Sequence, residues 1–260
     1  NVFCHIYACK SEIKDKIMHY KIINILVVSL ILTGFSCKGQ PKLQELAVVN
    51  PVEKSKPIVS PDEAQKWDLD YIMGKFDPTK HLDFMEIPAQ YRDEEVRYLR
   101  KDVFEAYKVM YEAAKKDGIN LKIISATRNF DNQKRIWENK WTGATILSDG
   151  VNAAIDISDP IKRARKILQY SSMPGTSRHH WGTDIDLNNL NSKYFISGEG
   201  LKIYIWLVIN APAYGFCQPY SAIGSDRSTG YHEEQWHWSY IPIASQLTQA
   251  AKEHLNNNMI

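Results

Sequence analysis

The chain has 260 residues, 44% of them hydrophobic, which is enough to bury one good core as one large domain or two small ones. Its formal charge of +2 is close to balanced, so neither a basic nucleic-acid stripe nor an acidic solvating tail is expected. Four cysteines (Cys4, Cys9, Cys37 and Cys217) form no CxxC pair and no even framework in the folded part. A disulfide-stapled fold is thereby set aside, and Cys217 reads as a buried small hydrophobe.

In chain order, residues 22–35 come first as an apolar run preceded by Lys16, His19 and Lys21. The run is short for a membrane-spanning helix and has the proportions of a signal-peptide core. Gly34-Phe35-Ser36-Cys37 follows, and this arrangement resembles a bacterial lipoprotein signal. The expectation is a leader over 1–37 whose lipid anchor is Cys37, with Met18 as the natural start and residues 1–17 as a start-site extension. Residues 38–59 are polar and dotted with proline, as suits a tether. The domain is expected over 60–255.

Ser60-Pro61-Asp62-Glu63 is a helix-start signal with a capping-box spacing, for a helix to Met73 that stops at Gly74. Val96, Leu99, Val103, Tyr107, Met110 and Ala114 recur at helical steps and predict a helix over 93–116, ended by Gly118. Strands are predicted over 121–125, 183–187 and 236–240. Helices are predicted over 129–141, from Asp159-Pro160 to Tyr170, and over 201–215. No regular βαβ alternation appears, so the fold class is α+β, a small and mainly antiparallel sheet flanked by helices. Trp and Tyr gather between Trp181 and Tyr240. Such residues line ligand grooves as well as cores, although Trp181, Trp236 and Trp238 read as packing.

Two segments carry chemistry: Ser177-Arg178-His179-His180-Trp181-Gly182-Thr183-Asp184-Ile185-Asp186, and Glu233-Glu234-Gln235-Trp236-His237-Trp238. Catalytic zinc takes three protein ligands and leaves one position open. His179, Asp186 and His237 would supply two imidazoles and a carboxylate, with His180 an even rival to His179 on spacing alone. Strand parity puts Asp184 and Asp186 on one face and Ile185 and Leu187 on the other. It also pairs His237 with Ser239. His179 lies at an odd spacing from Asp186, so a turn at Gly182 must bring it back. Glu234 lies three residues before His237 and must come from a loop or bulge. Glu234 would then act as general base and Arg128, directly after a strand, would face the oxyanion. His232 reads as a surface or neighbouring group, and Glu233 as the rival base. Asp184 either hydrogen-bonds a ligand histidine or sits exposed.

SxHxxGxxxD followed by ExWH resembles the LAS-type zinc peptidases, the group that includes vancomycin-resistance D,D-carboxypeptidases, over about Trp67 to Ala244. Asp184 stands where that family usually has Ala. Ser125-Ala126-Thr127-Arg128 resembles the family's Ser-Gly-Tyr-Arg, with small departures. The resemblance implies a hedgehog/D,D-peptidase-like fold, Zn2+ on His179, Asp186 and His237, Glu234 as base and Arg128 as transition-state group. It further implies that Ser177, Gln133 and Ser125 touch substrate. The implied reaction is D-alanyl-D-alanine carboxypeptidase action on peptidoglycan stem peptides. A murein endopeptidase or D,D-dipeptidase is the alternative within the same chemistry, and a non-catalytic zinc-stabilised wall-binding module the alternative outside it. The expected setting is a monomer at the periplasmic face of a bacterial membrane in the cell envelope.

Overall fold

The computed structural model describes residues 67–224 and 227–256. The leader, the tether and the helix-start signal at Ser60 lie outside the described residues.

The first helix, α1 (Leu69–Ile72), is capped by Asp68, whose carboxylate accepts the Tyr71 N–H at 2.6 Å. It stops as expected before Gly74, whose φ of +72° suits a residue without a side chain. A hairpin follows, in which β1 (Phe84–Glu86) pairs antiparallel with β2 (Tyr98–Arg100), with Met85 opposite Leu99.

The helix expected from Asp93 begins only at Lys101, as α2 (Lys101–Lys116). The reason is Arg92, whose guanidinium donates to the carbonyls of Ile87, Asp93 and Glu94. Those carbonyls are therefore held in a loop rather than in a helix ladder, and Tyr98–Arg100 is claimed by a β partner that helical periodicity cannot see. Val96 is accordingly exposed, while Val103, Tyr107, Met110 and Ala114 are fully buried as the spacing required.

The main sheet has the order β3-β4-β6-β5, every pair antiparallel: β3 (Ile123–Ser125), β4 (Asp184–Leu187), β5 (Phe216–Cys217) and β6 (His237–Tyr240). Asp184 faces Ser239, Ile185 faces Trp238, and Asp186 faces His237. Opposed residues of an antiparallel pair share a face, so alternation sorts the two strands. Ile185, Leu187 and Trp238 enter the core with Tyr107, Met110 and Leu121 of the α2 layer and its neighbour. Asp184, Asp186, His237 and Ser239 line the other face. The expected α+β class with a small antiparallel sheet holds.

The remaining helices are α3 (Phe130–Trp141), α4 (Ala153–Asp156), α5 (Pro160–Ile167), α6 (Gly198–Asn210) and α7 (Ile241–His254). Asn129 caps α3, accepting the Asn132 N–H at 2.9 Å. Asp159 caps α5, which ends at Ile167 rather than Tyr170. The helix expected over 201–215 spans 198–210 and then tightens into a 3-10 turn over Ala211–Tyr214, with Pro212 inside it. Cys217 is half-buried in the short strand β5 rather than fully enclosed.

Candidate metal centre

The site is assembled on the polar face of β4 and β6 by two breaks in regular structure. The first is a 3-10 turn over Arg178–Trp181, capped by the Ser177 hydroxyl, which accepts the His179 N–H at 3.3 Å. It closes on Gly182 at φ +69°, where a Cβ would lie 2.4 Å from the Phe84 ring. This is the turn that parity demanded, and it returns His179 to the side of Asp186. The second break is the loop ahead of β6, where the His237 N–H bonds back to the Glu234 carbonyl at 3.3 Å. It lifts Glu234 off the strand and onto the site face.

Proton placement shows what the two imidazoles offer. His179 Nδ1 lies 2.8 Å from the Ala126 carbonyl, which can only accept, so the proton is on Nδ1 and Nε2 carries a bare lone pair. His237 Nε2 lies 2.8 Å from an Asp184 carboxylate oxygen, so Nε2 carries a proton and, in the neutral ring that a metal would take, Nδ1 carries the lone pair. His179 Nε2 and Asp186 Oδ1 are buried without a hydrogen-bond partner. Nε2 of His179 is 3.3 Å from Asp186 Oδ2, and Nδ1 of His237 is 3.2 Å from Asp186 Oδ1. The ligand atoms of His179, Asp186 and His237 all lie within 4.8 Å of one another. Two bare imidazole nitrogens and an orphaned carboxylate oxygen converging on one buried point fit a divalent metal of the zinc class.

His180 is excluded as a ligand by the same accounting. Its Nδ1–H donates to the Arg128 carbonyl at 2.6 Å, and its Nε2 accepts the Gly175 N–H at 3.1 Å. No lone pair is left over, and burial depresses its pKa to about 4, which keeps the ring neutral. Glu233 is turned elsewhere, its Oε1 lying 3.3 Å from the Tyr204 hydroxyl. His232 is exposed.

Glu234 is buried, with Oε2 3.4 Å from His237 Nδ1. Burial raises its pKa above the ordinary carboxylate value, with the neighbouring His237 opposing. Burial also disfavours charge on His237, yet Asp184, Asp186 and Glu234 outweigh it and hold the ring well above its usual pKa. A negative pocket of this kind is what a cation neutralises. Arg128 is drawn down by burial and held up by Asp186 and Glu234, and its Nε is buried without a partner.

The pocket beside these groups is lined by Arg128, Gln133, Ser177 and Glu234, as expected, together with Ser171, Ser172, Tyr220 and Tyr231. Gln133 donates to the Ser172 carbonyl at 2.6 Å, and its Oε1 has no partner. Ser125 is buried opposite Asp186 in the β3–β4 register and is not among the lining residues. Lys140 passed unnoticed in the sequence. It is half-buried, its ammonium bonds the Ser171 hydroxyl, and no carboxylate lies within 4 Å of it among the described residues. Its only signal is its place seven residues after Gln133 on the same face of α3.

A family model described as VanY, D-alanyl-D-alanine carboxypeptidase, matches residues 96–243, more than half of the chain. The chain belongs to the VanY family. The match covers the hairpin strand β2, the sheet and every ligand of the candidate metal centre. It bears out the resemblance carried by the two metal motifs. Among curated relatives, the chain is 30% identical over 151 residues to "Putative carboxypeptidase YodJ" of Bacillus subtilis, covering 56% of this chain and 47% of that protein. It is 27% identical over 187 residues to a D-alanyl-D-alanine carboxypeptidase of Enterococcus faecalis, covering 70% of this chain and 61% of that protein. The chain thus spans between about half and three fifths of the length of these relatives. Among solved structures it is similar to the LdcB LD-carboxypeptidase, at 26% identity and a TM-score of 0.49, covering 69% of this chain and 76% of that one.

Proposed function

We propose that this chain is a zinc metallopeptidase that removes the terminal D-alanine from peptidoglycan stem peptides. The observation that carries this reading is the convergence of His179 Nε2, Asp186 and His237 Nδ1 on one buried point, with Glu234 3.4 Å from His237. Zinc held there would supply Lewis acidity to a scissile carbonyl and to a water nucleophile.

The chain's own residues do the rest. Glu234 accepts the proton of the attacking water and passes it to the leaving amine, a task helped by a carboxyl group whose affinity for protons is raised by burial. Arg128 offers an unpaired Nε–H beside the site for the oxyanion. Gln133 and Ser177 line the pocket on the substrate side. Glu234 and Arg128 weigh against a wall-binding module without turnover, because binding alone requires neither a base nor an oxyanion group.

Removal of a terminal residue, rather than internal cleavage, is favoured by Lys140 and Arg128. Arg128 lines the pocket and Lys140 bonds Ser171 in its wall, and cations so placed suit a substrate that ends in a carboxylate. Cleavage between other stem residues, as by an endopeptidase or a D,D-dipeptidase, is the second reading. A monomer held by lipid at Cys37 on the periplasmic face of the envelope would meet this substrate; that placement rests on the sequence of 16–37 alone.

Incubation of the purified protein with defined muropeptides, followed by mass spectrometry, tests both readings. Loss of one alanine supports the first, and cleavage elsewhere in the stem supports the second. If no product forms with zinc present and Glu234→Gln behaves as wild type, the enzymatic reading is lost.

A further inference from the structure

Asp184 occupies the strand position where the metal motif usually carries Ala. It is completely buried in the middle of the sheet. Four donors meet its two oxygens. His237 Nε2 at 2.8 Å and Arg178 Nε at 2.9 Å share Oδ1, while Thr183 Oγ1 at 2.6 Å and Ser239 Oγ at 3.1 Å share Oδ2. With both oxygens taken, Asp184 has no lone pair directed at the metal point and no capacity to act as a base.

Arg178 in turn is fixed at each of its nitrogens. Nη2 donates to Ser239 Oγ at 2.6 Å and Nη1 to Thr248 Oγ1 at 2.9 Å, and the guanidinium lies 5.0 Å over the Trp181 ring. Thr248 belongs to α7 and itself donates to the Ala244 carbonyl at 2.6 Å. The 3-10 turn, β4, β6 and α7 are thus joined through one buried ion pair.

An ion pair with a purely structural role would need only Arg178 and Asp184. Here the carboxylate oxygen that takes Arg178 also takes the ring N–H of a metal ligand. That contact holds a ring proton on Nε2, against the pull of Asp186 and Glu234 on Nδ1, and so leaves Nδ1 to the metal. Without it, the neutral ring is free to place its proton on Nδ1, where no metal can then bind.

We propose that Asp184, held by Arg178, is a positioning residue that fixes His237 in the tautomer and rotamer presenting Nδ1 to the metal. It thereby sets the metal affinity of the site. A carboxylate on the far nitrogen of a ligand histidine raises ligand basicity, and loss of such a partner typically weakens metal binding about 10–100-fold. The inference rests on the reading that His179, Asp186 and His237 hold zinc.

The test is zinc affinity, measured on the full chain by competition with a chromophoric chelator, alongside the unfolding temperature of the chelator-stripped protein. Two variants are compared with wild type: Asp184→Asn, which keeps the shape, and Asp184→Ala combined with Arg178→Met, which removes both buried charges together. Replacing a buried ion pair by apolar groups is often neutral for stability, so the double variant is expected to unfold near the wild-type temperature. Both variants are expected to bind zinc about 10–100-fold more weakly. Wild-type affinity in either folded variant overturns the proposal. If the double variant fails to fold, Asp184→Asn alone decides it by the same criterion. A wild-type protein that takes up no zinc defeats the metal reading itself, an outcome distinct from variants that bind as well as wild type.

Discussion

Replacing His180 by Ala separates a residue that organises the site from the ligand beside it. The ring is fully buried, and it joins the Arg128 carbonyl to the Gly175 N–H across two loops. Truncation leaves both backbone groups without their partner, at about 1–3 kcal/mol each. A void with two polar edges admits water, which recovers part of that cost. The net loss is therefore expected at about 2–3 kcal/mol, or roughly 4–12 °C in Tm for a domain of this size. Zinc should nevertheless remain at one ion per chain. His179→Ala should do the reverse, losing the metal through removal of the bare Nε2. Thermal unfolding of the stripped proteins and metal analysis after dialysis read both effects. A His180→Ala protein that sheds zinc, beside a His179→Ala protein that keeps it, would refute the proton accounting on which the ligand assignment stands. The folded-state pKa of His180 is depressed from 6.5 to about 4, so its contribution is complete above the unfolded value and is lost as pH falls towards the folded one. The stability gap between wild type and His180→Ala is accordingly expected to narrow between those two values.

Three further outcomes follow from the geometry. Glu234→Gln should keep its zinc while losing about 10²–10⁴-fold in kcat on a stem pentapeptide; comparable loss of metal would place Glu234 among the ligands instead. Lys140→Met should lower kcat/KM on a peptide with a free terminal carboxylate by about 10–150-fold, the equivalent of one charge-assisted hydrogen bond at about 1.5–3 kcal/mol. The same peptide with a terminal amide should be unaffected, and an equal loss on both would remove Lys140 from substrate recognition. Gly182→Ala should lower Tm, because φ is +69° and the new Cβ would fall 2.4 Å from the Phe84 ring; an unchanged midpoint would show that the turn relaxes without cost.

Strand parity made much of this site legible from the sequence. The alternation in Asp184–Leu187 and His237–Tyr240 assigns the polar and apolar faces by itself. The two places where alternation failed, at Gly182 and ahead of Trp236, are where the chain leaves regular structure. The choice of His179 over His180 was not legible from spacing. It depends on the Ala126, Arg128 and Gly175 backbone groups, which reach the rings only through tertiary folding. Lys140 and Arg178 were missed for a related reason. Each looks like an ordinary surface cation until Ser171 and Thr248 are brought to it from distant segments and the turn at Gly182 sets Asp184 against Arg178. The hairpin β1–β2 was hidden because three-residue strands leave no periodic trace, and because the committed carbonyls of Asp93 and Glu94 interrupt an otherwise helical pattern.

Strand β4 reads Asp-Ile-Asp-Leu, so its pattern nearly repeats after two residues. A slip by one residue would turn every side chain to the wrong face, but a slip by two would exchange Asp184 for Asp186 and Ile185 for Leu187 with little change in hydrophobic fit. Composition alone thus leaves two nearly equivalent alignments of the central strand, and only one sets Asp186 opposite His237 with Asp184 opposite Ser239. The ambiguity is removed from outside the strand. Gly182 fixes one end in a left-handed conformation. Asn188 at φ +63° fixes the other, bonding the Lys122 carbonyl through its N–H at 2.9 Å and the Asn120 carbonyl through its side chain at 2.8 Å. These two backbone clamps are the alignment pins of the metal centre, and they hold although neither touches a ligand.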